Sequence, residues 1–258
     1  MKNKQKKELA VCGFAAVKAI EKENPNKISR LYFSSERMSQ FSSLCKYLAS
    51  KKIPYNLVET KDLEKLCGSV HHQGVVAMIE QIEIPLLEKD TLNEWLHKKE
   101  DAVLLDRVGN ANNLGAIVRS AAFFGIKNVI IPSDEAQSSI TTSSYRVAQG
   151  GMENVKIYRV NDSATFLHTL EGKMIRTGTD AKAKLSVSEI RDYCHKKNDK
   201  GAIIVLGNEE NGLSRSVKNE CDILVSIPSK VHLETPDSLN VAQAASIIFY
   251  EISQKSTM

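Results

Sequence analysis

Several familiar signatures are missing from this sequence. It has no CxxC pair and no Cys/His cluster at zinc-like spacing, which excludes the common structural zinc modules. Its five cysteines (Cys12, Cys45, Cys67, Cys194 and Cys221) are odd in number and scattered, which points to reduced thiols and a cytoplasmic setting rather than a disulfide framework. No apolar run approaches the ~18 residues of a membrane span. The opening MKNKQKKELA is followed by too short an apolar stretch for a signal peptide. There is no G-x-G-x-x-G turn, since Gly172, Gly178, Gly201 and Gly207 are wrongly spaced for one, and that disfavours a dinucleotide-type Rossmann site. A P-loop and any nucleophile motif are absent too, which argues against a nucleotide hydrolase. Excess charge is small. Thirty-five Lys and Arg against 31 Asp and Glu leave a net +4, which permits a polyanionic partner without requiring one. Part of the excess is Lys2, Lys4, Lys6 and Lys7, readable either as a solvated chain end or as a basic arm on phosphates.

What is present reads as α/β. The 258 residues, 42% hydrophobic and 26% charged, are comfortable for two domains. Apolar residues at helical spacing from Leu9 to Glu23 predict a helix, which Pro25 and Asn26 end. Ile28 to Phe33 reads as a strand, Glu36 to Ser50 as a helix capped by Ser35, and Tyr55 to Glu59 as a strand. Thr60 is placed to cap a helix through Leu66, and Gly74 to Ile79 is a β-branched strand. Residues 81–100 look like a connector, interrupted by Pro85, with Trp95 in a short amphipathic stretch suited to docking. Beyond it, strands are predicted at Ala102–Leu105, Asn128–Ile131, Val155–Val160, Met174–Thr179, Gly201–Leu206 and Ile223–Ile227. Helices are predicted at Leu114–Phe124 and Leu239–Ser253. Alternation of this kind implies a parallel sheet covered by helices. The expected layout is a small α/β domain in 1–80, a linker in 81–100 and a second α/β domain in 101–258.

Three segments at predicted strand ends stand out, and ligands of open α/β sheets bind at the carboxyl ends of strands. Asp106 to Ala121 runs through a polar turn into a helix. It reads as a helix capped by Asn112 or Asn113, with Arg119 either snorkelling from an apolar helix or held for chemistry. Gly207-Asn208-Glu209-Glu210-Asn211-Gly212-Leu213-Ser214 follows the strand GAIIVL. It is either a solvated turn or a close backbone approach to a ligand. Ile227-Pro228 precedes Ser238-Leu239-Asn240-Val241, where Asp237 or Ser238 is placed to cap the closing helix.

Together these segments resemble the SpoU/TrmH family of SPOUT methyltransferases. They match N-x-G-A-I-x-R-[ST]-A, G-N-E-x-x-G-L-S, and I-P followed by S-L-N-V, in the right order. Gly13 to Ile20 and His72-Gln73-Gly74-Val75 resemble that family's substrate-binding domain, which has a ribosomal-protein-like fold. The resemblance implies a trefoil-knotted catalytic domain. It further implies S-adenosylmethionine as methyl donor and an RNA ribose 2′-oxygen as acceptor, more in keeping with ribosomal than transfer RNA. Arg119, Asn113, Glu209, Ser238 and Asn240 would then serve catalysis. Thr179, Leu206, Gly207, Ile227 and Leu239 would hold the donor, and a metal is not required. A guanidinium stays protonated, so Arg119 suits phosphate binding and stabilisation of a developing alkoxide better than proton abstraction. The same resemblance implies a homodimer through the closing helix and the Arg119 region. Ser229 and the Gly-free stretch Val231 to Asp237 depart from the family's third motif, as does Gln243. They keep open a second reading, an RNA- or ribosome-binding protein of this fold without catalysis.

Overall fold

The computed structural model describes residues 8–196, 200–229 and 238–254. The chain divides into two compact units, one of residues 1–83 with 140–154, the other of 84–139 with 155–258. Residues 84–100, expected as a linker, therefore group with the second unit. Residues 140–154, from within the expected catalytic stretch, group with the first.

The first unit runs β1 (Glu8–Cys12), α1 (Phe14–Glu23), β2 (Ile28–Phe33), α2 (Ser42–Ser50), β3 (Tyr55–Leu57), α3 (Thr60–Cys67) and β4 (Val75–Glu80). Its sheet has the order β1-β4-β2-β3, with β4 antiparallel to both neighbours and β3 parallel to β2. The helix expected from Leu9 is corrected, because Leu9 to Cys12 is strand. Ala10, Val11 and Cys12 pair with Met78, Ala77 and Val76, and Gly13 at φ 102° separates strand from helix. Val11 of this strand lies three and four residues before Phe14 and Ala15, so the helical spacing of α1 runs on into the strand by coincidence. The helix expected over 36–50 is also shorter. Ser35–Phe41 is a 3₁₀ stretch, and α2 begins at Ser42.

The second unit begins with α4 (Lys89–Lys98), whose Trp95 is buried and meets Tyr158 edge-on at 5.2 Å, so the docking expected of it is present. There follow β5 (Ala102–Asp106), α5 (Ala111–Phe123) and β6 (Asn128–Pro132). Helix α6 (Thr142–Ala148) comes next in the chain but groups with the first unit, where Tyr145, Asn24 and Lys27 all donate to Glu153. The remainder is β7 (Lys156–Val160), α7 (Ser163–Thr169), β8 (Ile175–Thr179), β9 (Leu185–Ser186), α8 (Ile190–Lys196), β10 (Ala202–Gly207), α9 (Arg215–Asn219), β11 (Ile223–Ser226) and α10 (Val241–Ser253). The seven strands are parallel in the order β7-β6-β5-β10-β8-β11-β9, as the alternating pattern predicted.

Strand β10 is wholly buried and sits between β5 and β8. Side chains of the central strands, including Leu104, Ile130, Ile203 and Val205, pack on one side with Trp95, Phe166, Leu167 and Val217. On α5 the apolar Leu114, Ile117, Val118 and Ala121 are buried, and Ser120 meets Ser246 of α10 at 2.8 Å. The caps differ from expectation. Asn110, not Asn112 or Asn113, caps α5 by accepting from the Asn112 N–H at 2.8 Å. Asn240, not Ser238, caps α10 by accepting from the Ala242 N–H at 2.9 Å, so Leu239 lies before the helix; Asp237, the other expected cap, lies outside the described residues.

Candidate active site

The parallel register brings the carboxyl ends of β5, β10, β8 and β11 side by side. Gly207 stands beside Asp106, and Thr179 beside Val225. The loops leaving these ends carry the three motifs. After β10 the chain turns tightly, with Asn208 and Gly212 exchanging backbone hydrogen bonds at 3.1 and 2.9 Å. A Cβ on Gly207 would lie 2.4 Å from the backbone of Gly212 and Leu213, so only glycine permits that return. The Asn208 side chain completes the turn. Its Oδ1 accepts from the N–H groups of Glu210 and Asn211, and its Nδ2 donates to the Arg107 carbonyl at 2.9 Å.

This turn projects Glu209 at the start of α5. The Asn113 Nδ2 donates to Glu209 Oε1 at 2.7 Å, and the N–H groups of Asn110 and Gly109 approach the same carboxylate at 3.4 Å. A carboxylate at a helix N-terminus is favoured by the backbone dipoles there. The Asn113 Oδ1 in turn accepts from Asn240 Nδ2 at 3.1 Å. Glu209, Asn113 and Asn240 thus form one hydrogen-bonded chain joining all three motifs. Asn113 uses both ends of its amide, which fixes its orientation.

The other expected residues are less closely joined. Arg119 is exposed on α5, and among the described residues it has no hydrogen-bond or ion-pair partner. It lies six residues beyond Asn113, about 9 Å along the axis and roughly 240° around it. The side chain therefore stands apart from the Asn113 cluster within one chain. Ser238 and Leu239 are exposed just before Asn240, and Ile227 follows β11 half-buried. Thr179 donates its hydroxyl to the Val205 carbonyl at 3.0 Å, and Leu206 is buried. The stretch Val231 to Asp237 and the lysines before Glu8 lie outside the described residues.

Sequence reasoning missed three supporting side chains. Asp106 is buried and accepts from the Ser214 N–H at 2.9 Å, tying β5 to the second motif. Buried Gln137 pairs with both the N–H and the carbonyl of Val108, each at 3.0 Å. Lys218 donates to Asp180 at 2.7 Å and holds that carboxyl below its usual range, helped by the Lys182 N–H. Asp106 alone carried a signal, as the last residue of a buried strand. Nearby, burial pushes the Cys221 thiol up to about 12, which removes it as a nucleophile. Among the described residues no cluster of His, Cys, Asp or Glu is arranged to hold a metal.

Residues 101–250 match the family model "SpoU rRNA Methylase family", and residues 10–85 match "RNA 2'-O ribose methyltransferase substrate binding". The 23S rRNA (guanosine-2'-O-)-methyltransferase RlmB of Acinetobacter baylyi is 33% identical, over 93% of this chain and 94% of its own. The protein of the same name from Coxiella burnetii is 34% identical over 95% of each. The crystal structure of the SpoU methyltransferase AviRb from Streptomyces viridochromogenes with AdoMet is similar in fold, with a TM-score of 0.70 at 24% identity. That match covers 95% of this chain and 89% of AviRb.

Proposed function

The chain belongs to the SpoU rRNA methylase family, and from that premise we propose that it methylates a ribose 2′-oxygen of 23S rRNA, a guanosine's, using S-adenosylmethionine. The observation that carries this reading is the Glu209–Asn113–Asn240 chain, which joins the three motifs at the carboxyl edge of the sheet. The second unit carries the reaction and the first holds RNA. The first unit contains nearly all of the residues that match the substrate-binding model.

The residues at the strand ends fit a donor gripped by main chain. The Thr179 hydroxyl is spent on Val205, Leu206 is apolar and buried, Gly207 has no side chain, and Leu239 offers an exposed apolar surface. Recognition there falls to the backbone groups of Gly207, Ile227 and Leu239. When bound, the donor supplies an electrophilic methyl on a sulfonium, which needs no Lewis acid. Asn113, fixed by Glu209 and Asn240, orients the acceptor ribose, and Ser238 and Asn240 shape the methionine end. Alignment of this kind supplies much of a methyl transfer's barrier reduction. Arg119, a permanent cation, would hold a phosphate and stabilise the 2′-alkoxide.

Arg119 reaches such a site through a second copy. Helices α5 and α10, which meet at Ser120 and Ser246, carry exposed Phe123, Ile247 and Tyr250, apolar side chains suited to a two-fold interface. A homodimer on this face would bring each Arg119 toward the partner's motif loops. An rRNA substrate implies a cytoplasmic setting, consistent with five free cysteines.

Incubation of a 23S rRNA transcript with the protein and methyl-labelled donor, followed by mapping of hydrolysis-resistant positions, tests the reading. One guanosine is expected to acquire the label. Arg119→Ala is expected to abolish transfer with an unchanged melting temperature, and normal turnover in that variant removes Arg119 from the site. A folded wild-type chain that ignores the donor in titration supports the non-catalytic reading instead.

A further inference from the structure

Arg107, the residue after β5, has φ 62°, in the left-handed region. Every side chain with a Cβ is crowded there, and arginine lacks the short polar group that lets asparagine compensate. The neighbours over-determine this conformation. Asn208 Nδ2 holds its carbonyl at 2.9 Å, its N–H reaches the Leu105 carbonyl at 3.2 Å, and Gln137 clamps the next residue at both backbone groups. Strain held in place by surrounding structure is characteristic of ligand sites.

The half-buried guanidinium is under-used. It approaches Asp106 at 3.4 Å through Nε and 3.3 Å through Nη2. Charge-assisted bonds of this type are ordinarily about 2.7–2.9 Å. Asp106 meanwhile spends Oδ2 on the Ser214 N–H at 2.9 Å. Most of the five N–H donors of Arg107 remain available, at the rim of the site.

The side of the sheet decides which anion they meet. Strands β8 and β11, whose ends are proposed to hold the donor, lie on one side of β10, and β5 lies on the other. We infer that Arg107 is a substrate-positioning residue that binds a backbone phosphate of the acceptor RNA. The loose Asp106 pair keeps its guanidinium at the rim. This inference rests on the RNA reading above, and it gives a role to a residue of the first segment that lies before its motif residues Asn113 to Ala121.

Salt-dependent binding of a 23S rRNA transcript by the full-length wild type and by Arg107→Gln, Arg107→Gly and Arg107→Lys tests it. Glycine meets the backbone demand, so that variant folds without strain. The Gln and Gly variants are expected to bind about tenfold more weakly, with the slope of log K against log[KCl] reduced by roughly 0.7–0.9, one phosphate contact. The Lys variant is expected to keep the slope. S-adenosylmethionine affinity, titrated in parallel, is expected to be unchanged throughout. A purely structural Arg107 would alter melting but not the slope, so wild-type slopes in the Gln and Gly variants overturn the inference. A loss of donor affinity in place of RNA affinity also overturns it. Failure of the wild type to bind the transcript overturns the RNA reading itself, before any variant is compared.

Discussion

Asn113 shows how much one amide orientation can carry. Its Nδ2 faces Glu209 at 2.7 Å and its Oδ1 faces Asn240 at 3.1 Å. Asn113→Ala removes both links while leaving the buried face of α5 intact. Single-turnover methylation is expected to fall on the order of 10²-fold, the usual consequence of misplacing a reacting group. The cost in stability is expected to stay near 1 kcal/mol, that of a partly exposed hydrogen bond. Gly207 is the opposite case, where shape matters and polarity does not. A strand ending in glycine suggests backbone approach to a ligand, but the close neighbour is the chain's own return through Gly212 and Leu213. Gly207→Ala is expected to destabilise by about 1–3 kcal/mol through overpacking, measured by urea unfolding.

Between elements, ion pairs fasten the end of the sheet that the motifs occupy. Lys218 of α9 donates to Asp180, which follows β8. The hydrogen bond from Lys218 holds the Asp180 carboxyl below its usual range. A carboxyl depressed in the folded state contributes stability above its unfolded pKa of about 3.9, lost as pH falls through the folded value. Lys218→Met is therefore expected to lower stability at pH 7 by at most about 1 kcal/mol, since the pair is partly exposed. Urea midpoints of the two proteins are expected to converge as the pH is taken below 4. A gap that does not narrow at all as the pH falls below 4 would assign the effect to packing.

For the molecule as a whole, the homodimer proposed above would form on the exposed aromatic face of α5 and α10. Phe123 is 82% exposed and packs edge-on with Phe124, which meets Tyr250 in the same way. Phe123→Glu puts a charge into that surface. In sedimentation it is expected to turn a dimer into monomers, with methyl transfer lost at the same time. An unchanged sedimentation coefficient with full activity would remove this face from the assembly.

Much of this was readable in the linear chain. Strand β10 needed only the run GAIIVL, since a fully buried parallel strand is apolar at every position. The three motif segments were legible because turn and cap chemistry depends on neighbouring residues, although the caps themselves fall on Asn110 and Asn240. Composition and local pattern thus settled the α/β class and the parallel sheet, and the family resemblance singled out the loops proposed to carry the chemistry. Contacts distant in sequence decided the rest. Leu9 to Cys12 became strand because β4, some 65 residues on, offered an edge to pair with. The segment 140–154 joined the first unit because buried Glu153 gathers donors from Asn24, Lys27 and Tyr145. Glu209 met Asn113 across 96 residues because β10 entered the sheet beside β5. No local pattern encodes such pairings, since their free energy exists only once both partners have been buried or aligned by the fold.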